Sequence, residues 1–202
     1  MLKLLLASGN PGKLREIEAL LADMPVELVL PAQLGLHLDV EEIGSTYQEN
    51  AATKALAFAN ASGLVSLADD SGLEVESLGG MPGLHSARFA PIPNATDADR
   101  RAYLLMKLKP LPPPWQARFH CTVALATPDG RVHFSTGECA GEIIPQERGQ
   151  GGFGYDPIFL VLGMDKTMAE LSMDEKNRLS HRARAILAIK PVLARILQET
   201  QK

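Results

Sequence analysis

Val65-Ser66-Leu67-Ala68-Asp69-Asp70-Ser71-Gly72-Leu73-Glu74-Val75-Glu76 sets two short apolar runs on either side of adjacent carboxylates, a serine and a glycine. The apolar run before Asp69 predicts a strand entering the core, and Ser71-Gly72 is turn chemistry that lets a chain double back. The acids are therefore expected at a strand end. Successive strand residues point to opposite faces, so Asp69 and Asp70 share a direction only if the strand has already broken. One of them is expected to face a cleft. Hard divalent cations such as magnesium take oxygen ligands, commonly one or two carboxylates plus the phosphates of a substrate. Taken alone, the stretch reads equally well as an Asp turn joining two strands.

Upstream, Leu2 to Ala7 reads as a buried first strand running into Ser8-Gly9-Asn10-Pro11-Gly12-Lys13, after which Leu14, Ile17, Leu20 and Leu21 recur at helical spacing. Strand, glycine-rich turn and helix N-terminus present unpaired N–H groups and a positive dipole end to an anion, and Lys13 adds a point charge. The turn lacks the spacing of a Walker A loop, which needs Ser or Thr where Leu14 stands, and it is not G-x-G-x-x-G. A phosphate cradle of another design and a plain strand-to-helix connection both remain open.

Val26 to Leu30 predicts a second strand. Val40-Glu41-Glu42-Ile43-Gly44 then places two acids ahead of a helix opening at Ser45 or Thr46 and running to about Ala61, with Gly63 as its stop. Thr46-x-x-Glu49 has the form of a capping box. Glu41 and Glu42 have no such structural role, and Lys54 lies on the helix.

Downstream, Gly79-Gly80-Met81-Pro82-Gly83 is a loop, and Thr96-Asp97-Ala98-Asp99 opens a helix that Pro110 to Pro114 end. Arg100 and Arg101 are expected at its surface. Ala117 to Ala126 and Arg131 to Ala140 alternate around Pro128-Asp129-Gly130, a long hairpin expected to build a second lobe over about 115–160. Gly151-Gly152-Phe153-Gly154-Tyr155-Asp156 combines glycines, which let backbone approach a ligand, with rings that offer a stacking face. Ser180-His181-Arg182 supplies several donors just before a final helix carrying Ile186, Ile189, Leu193 and Ile196.

The bulk properties narrow the function. The 202 residues suit one domain of two joined lobes, and 46% hydrophobic content, 22% charged content and a net charge of -4 describe an ordinary globular chain. The acidic balance argues against binding a nucleic-acid backbone. The apolar start meets Ser8-Gly9-Asn10-Pro11 too soon for a membrane span or a secretory leader, so a cytoplasmic protein without a membrane partner is expected. Cys121 and Cys139 form neither a disulfide framework nor a metal spacing.

Together, Ser8-Gly9-Asn10-x-Gly12-Lys13, Glu49-Asn50-Ala51 with Lys54-Ala55, Ala68-Asp69-Asp70-Ser71-Gly72-Leu73, Gly79-Gly80-x-Pro82-Gly83, Ser86-Ala87-Arg88, Gly151-Gly152-Phe153-Gly154-Tyr155-Asp156-Pro157 and Ser180-His181-Arg182 are similar to the inosine/xanthosine triphosphate pyrophosphatases of the Ham-like group. The resemblance covers nearly the whole chain in order. It implies an α/β fold, an elongated mixed β-sheet flanked by helices with two lobes and a central cleft, usually homodimeric. It implies magnesium-dependent hydrolysis of deaminated purine nucleoside triphosphates between the α and β phosphates.

By the same resemblance, Ser8, Gly9, Asn10, Pro11, Gly12 and Lys13 would hold phosphates, with Lys54 and Lys176 adding charge and Ser71 at the substrate. Asp70 would be general base or metal ligand, with Asp69 beside it and Glu41 or Glu42 completing the Mg2+ site. Phe153 and Gly154 would meet the purine, and Tyr155, Asp156, His181 and Arg182 would read its edge or fix the sugar. Two other readings remain: a Maf-like pyrophosphatase for pyrimidine or modified nucleotides, and a non-catalytic nucleotide sensor.

Overall fold

The computed structural model describes residues 2–199. Six strands form one mixed sheet in the order β2-β1-β3-β4-β5-β6: β1 (Leu2–Leu6), β2 (Val26–Val29), β3 (Val65–Val75), β4 (Trp115–Ala126), β5 (Val132–Ile143) and β6 (Phe159–Val161). β1 pairs in parallel with both β2 and β3, and β6 runs antiparallel to β5. The helices are α1 (Pro11–Leu21), α2 (Tyr47–Ser62), α3 (Asp97–Leu108), α4 (Met173–Leu179) and α5 (His181–Glu199). The described residues divide into two compact units, one of 2–70, 121–137 and 182–199, the other of 71–120 and 138–181. β3, β4 and β5 each contribute residues to both.

In the first unit the alternation of a strand explains the layering. Leu4 and Leu6 pack with Ile17, Leu20 and Leu21 of α1, Val65, Leu67, Cys121, Val123, Leu125 and the apolar face of α5. Leu5 and Ala7 point the other way, into Ala51, Ala55, Phe58 and Ala59 of α2, with Ala68, Ala124 and Ala126. Both faces of these strands are covered where the chain is apolar without a break, from Leu4 to Ala7, and Lys3 before it is exposed. The second unit has one core, where Leu73 and Val75 meet Leu104 and Leu108 of α3, Phe119, Ile158 and Phe159.

The structure corrects the reading of the opening stretch. β3 does not end at the acids; it continues through Ser71 and Gly72 to Val75, an 11-residue strand. The turn preference of Ser-Gly is a local bias. It is overridden because Gly72 is buried, Leu73 and Val75 are fully buried, and a break after Asp70 would strip both from the second core. The Leu73 N–H is satisfied by the Ser86 hydroxyl at 2.9 Å, which in turn donates to the Gly83 carbonyl at 2.7 Å.

Two smaller expectations also change. Thr46 caps α2 by accepting from the Glu49 N–H at 3.1 Å, and the Glu49 carboxylate reaches back mainly to Ser45, with a smaller contribution from the Thr46 N–H. Arg100 and Arg101 are mostly covered, with side chains 19% and 12% exposed, each in an ion pair. Ser86→Ala leaves the buried Leu73 N–H without its acceptor, and the expected loss of about 1–3 kcal/mol in urea unfolding checks the hydroxyl's part in holding β3 extended.

Candidate active site

Because β3 is unbroken, Asp69 and Asp70 face opposite sides of the sheet. Asp69 continues the Val65–Leu67 face toward α1 and α5. There its Oδ2 receives Lys13 Nζ at 3.0 Å and Arg182 Nε at 3.2 Å, with the Cys121 thiol at 3.8 Å. Arg182 is 1% exposed and its other arm is held by Glu16, itself 4% exposed. Burial would by itself push the Asp69 carboxyl up, but the charges of Lys13 and Arg182 outweigh it and hold the group well below the usual carboxylate range. Arg182 is shifted upward by Asp69 and Glu16 against the opposing effect of its burial.

Asp70 continues the Ala68 face toward α2. Asn50 Nδ2 donates to its Oδ2 at 2.9 Å. Burial raises the Asp70 carboxyl, the Asn50 hydrogen bond opposes that, and the negative charge of Glu42 raises it further. Lys54 reaches from α2 to pair with Glu42 and to donate to the Asp69 carbonyl at 3.3 Å. Its ammonium is held above the ordinary lysine range, the attraction of Glu42, Asp69 and Asp70 exceeding the cost of burial. Glu41 is exposed on the same loop as Glu42. The first unit thus brings Lys13, Lys54, Glu42, Asp69, Asp70 and Arg182 together around the end of one strand segment.

The turn before α1 differs from the expectation of open N–H groups. Asn10 is the N-cap, and its Oδ1 accepts from Gly12 at 2.8 Å and Lys13 at 3.2 Å, while Ser8 Oγ accepts from the Asn10 N–H at 3.2 Å. Pro11 has no N–H, and Leu14 donates to the Asn10 carbonyl. The first-turn donors are therefore engaged. What the turn still offers an anion is the exposed backbone around Gly9, the dipole end and Lys13.

In the second unit, Phe153 to Asp156 form a tightly bonded loop. Asp156 Oδ2 accepts from the Phe153 N–H at 3.1 Å and from Lys176 Nζ at 2.8 Å, and the Lys176 ammonium lies 5.4 Å from the Phe153 ring centre. Gly152 has φ +72, and a side chain there would run into the Asp156 carboxylate, so only glycine fits. The Tyr155 hydroxyl donates to the Ser86 carbonyl at 2.9 Å, and burial pushes its ionisation upward. His181 is buried and stacks on Phe119, with centroids 4.7 Å apart and planes 15° off parallel. Ser71 is half-buried on β3. Phe153, Asp156 and Lys176 thus form one cluster. Tyr155 and His181 are fixed by other partners.

Sequence reasoning missed Glu16 as the second partner of Arg182. The available signal was its place on α1: Gly12, Glu16 and Leu20 share one buried face, and an acid inside an apolar stripe requires a buried cation. Asn50 belongs to the Glu49-Asn50-Ala51 motif, and its hydrogen bond to Asp70 has no signal in the local sequence.

The donor set suits a hard cation. Burial and the Glu42 charge raise the cost of ionising Asp70, which a bound divalent ion relieves, and two carboxylates plus substrate phosphates are what magnesium commonly accepts. Among the described residues no group of three or more His, Cys, Asp or Glu side chains is spaced as a self-sufficient metal cage.

Asp69→Asn removes the charge that Lys13 and Arg182 share, and a loss of about 3–5 kcal/mol in denaturant unfolding is expected. A carboxyl depressed on folding stabilises above its unfolded pKa of about 3.9 and loses that contribution as pH falls toward its folded value. Wild-type stability should therefore drop on acidification below about pH 4, and Asp69→Asn should flatten that drop in melting curves recorded against pH.

Residues 4–192 match the model of the Ham1 family. A "dITP/XTP pyrophosphatase" of Desulforamulus reducens is 44% identical over 96% of this chain and 97% of its own length, and one of Geobacter sulfurreducens is 46% identical over 94% and 96%. The solved structure of a HAM1 protein from Coxiella burnetii superposes with a TM-score of 0.87 at 41% identity, covering 96% of this chain and all of that one. A family model matched over residues 4–192, with relatives more than 40% identical over nearly the full length, means that the chain belongs to the Ham1 family.

Proposed function

We propose that this protein hydrolyses deaminated purine nucleoside triphosphates, ITP, dITP and XTP, to the monophosphate and pyrophosphate, clearing them before incorporation into DNA or RNA. The observation that carries the reading is the split of Asp69 and Asp70 across the sheet, one carboxylate locked into a cation network and the other left beside Glu42 and two lysines. Relatives named dITP/XTP pyrophosphatase favour it over a pyrimidine-directed enzyme or a sensor.

Phosphoanhydride hydrolysis needs positioning and charge neutralisation more than covalent chemistry. Lys13 and the positive end of α1 attract the phosphates, with Ser8, Gly9, Asn10, Pro11 and Gly12 shaping the turn, and Lys54 adds charge across the loop acids. Asp70, held in orientation by Asn50, takes the proton of the attacking water. Asp70 with Glu42 or Glu41 would hold Mg2+, which would neutralise phosphate charge when bound, while the Asp69 carboxylate is committed to Lys13 and Arg182. Phe153 stacks on the purine, with Gly154 beside it. Asp156 and Lys176 fix that ring, and Ser71, Tyr155 and His181 shape the ground on which base and sugar rest; Arg182, expected there from the resemblance, is instead buried against Asp69 and Glu16. Rejection of adenine follows if donors meet the 6-keto oxygen, because a 6-amino group leaves them unpaired. The enzyme is proposed to act in the cytoplasm as a homodimer, which sedimentation at micromolar concentration would read directly. No described helix is long and apolar enough to cross a membrane.

Pyrophosphate release from ITP, XTP, ATP, GTP, UTP and dTTP, each with and without magnesium, tests the proposal. Magnesium-dependent release confined to ITP and XTP is expected, and release from UTP or dTTP would overturn it. Asp70→Asn should lower kcat by about 10²-fold or more with folding retained by circular dichroism; full activity removes Asp70 from the mechanism. His181→Ala should narrow the preference for ITP over ATP, and an unchanged kcat/KM ratio would place base discrimination elsewhere.

A further inference from the structure

All four backbone hydrogen-bonding groups of Phe153 and Gly154 are engaged. The Phe153 N–H donates to Asp156 Oδ2, and the Phe153 carbonyl accepts from the Asp156 N–H at 3.2 Å. The Gly154 N–H donates to Asp97 Oδ2 at 2.7 Å, and the Gly154 carbonyl accepts from Arg101 at 2.9 Å. The last two partners come from the first turns of α3, far from this loop in sequence. Arg101 is anchored in its turn by a two-pronged bond to Glu147, at 2.8 Å and 3.0 Å. The Arg101 hydrogen bonds lower the Glu147 carboxyl's pKa; for Asp97, burial is opposed and outweighed by the Gly154 N–H and by Arg100.

Gly154 sits at φ +60 with open space around the position of a side chain, so its conformation alone requires glycine. A glycine loop held only by its own residues samples many conformations; this one is held at both polar atoms of its left-handed residue by a helix. Asp97 is not the cap of α3, because Thr96 and Asp99 cap that helix reciprocally. Its carboxylate is directed at the loop and at Arg100.

We infer that Asp97 and Arg101 are positioning residues for the base-stacking loop, fixing the Phe153-Gly154 peptide so that the ring is presented to the purine before substrate arrives. The inference rests on the proposed function in assigning Phe153 to the base. A preformed ring spares the ordering cost at binding, so the benefit falls on substrate affinity and on discrimination more than on the chemical step.

The test compares wild type with Asp97→Ala, Arg101→Ala and Arg101→Lys, alone and combined with Phe153→Ala. Amide exchange of Phe153 and Gly154 in the free protein is read by NMR, and kcat and KM for ITP with magnesium by pyrophosphate release. Expected for Asp97→Ala and Arg101→Ala are exchange faster by about tenfold or more and KM raised about tenfold with kcat within about twofold. Arg101→Lys keeps a donor for the Gly154 carbonyl and should recover part of both. In the Phe153→Ala background the same substitutions should change KM by less than about twofold, because the ring through which they act is gone.

Unmoved exchange and KM in active protein overturn the inference, as does a KM effect of equal size with and without the Phe153 ring, which would mean a general structural role. Wild-type protein inert toward ITP overturns the functional reading on which the inference rests, and the exchange rates then still report whether α3 holds the loop.

Discussion

A single buried carboxylate oxygen, Asp69 Oδ2, receives cations from two ends of the chain, Lys13 from the start of α1 and Arg182 from the start of α5. A buried charge needs a partner, and removing Asp69 would leave Lys13 without the carboxylate it pairs with and would leave the Arg182 guanidinium to Glu16. The network ties α1, β3 and α5 into one arrangement in the first unit. It also leaves Lys13 at the edge of its helix turn with its side chain already aligned. The stability of that unit and the geometry proposed for phosphate binding thus depend on one ionised group.

That arrangement exists because β3 keeps its pleat through both acids. With a period of 2, neighbouring carboxylates must diverge, and each is then governed by the helices on its own side. The α1 and α5 side supplies two cations and drives the Asp69 carboxyl down; the α2 side supplies a neutral amide and a second acid, and Asp70 moves up. Two identical side chains thus meet opposite environments, one held ionised by two cations, the other raised by burial and by Glu42, which suits the proton transfer or metal ligation proposed for it. A turn after Asp70 would have erased that difference.

The second unit solves a different problem. The ring proposed to stack on the base sits on a glycine-rich loop, which sequence chemistry makes flexible, and the fold bonds that loop to Asp156 and the first turns of α3, with Lys176 on Asp156. Glycine is needed there for the left-handed backbone at Gly152 and Gly154, and rigidity is supplied from outside the loop.

The sequence by itself determined the local elements and the family. The apolar run of β1, the capped helix at Thr96, the alternation around Pro128-Asp129-Gly130 and the stop at Gly63 are short-range signals, and each stands where it was read. The motif order likewise identified the family without coordinates, because chemistry-bearing residues keep their spacing along the chain. Only the tertiary structure decided that Ser71-Gly72 is strand and not turn, that Asn10 uses the first N–H groups of α1, that Glu16 holds Arg182, and that α3 holds Gly154. Each of these is a contest between a local preference and burial or a partner distant in sequence. Spacing along a chain carries no information on which distant group wins it.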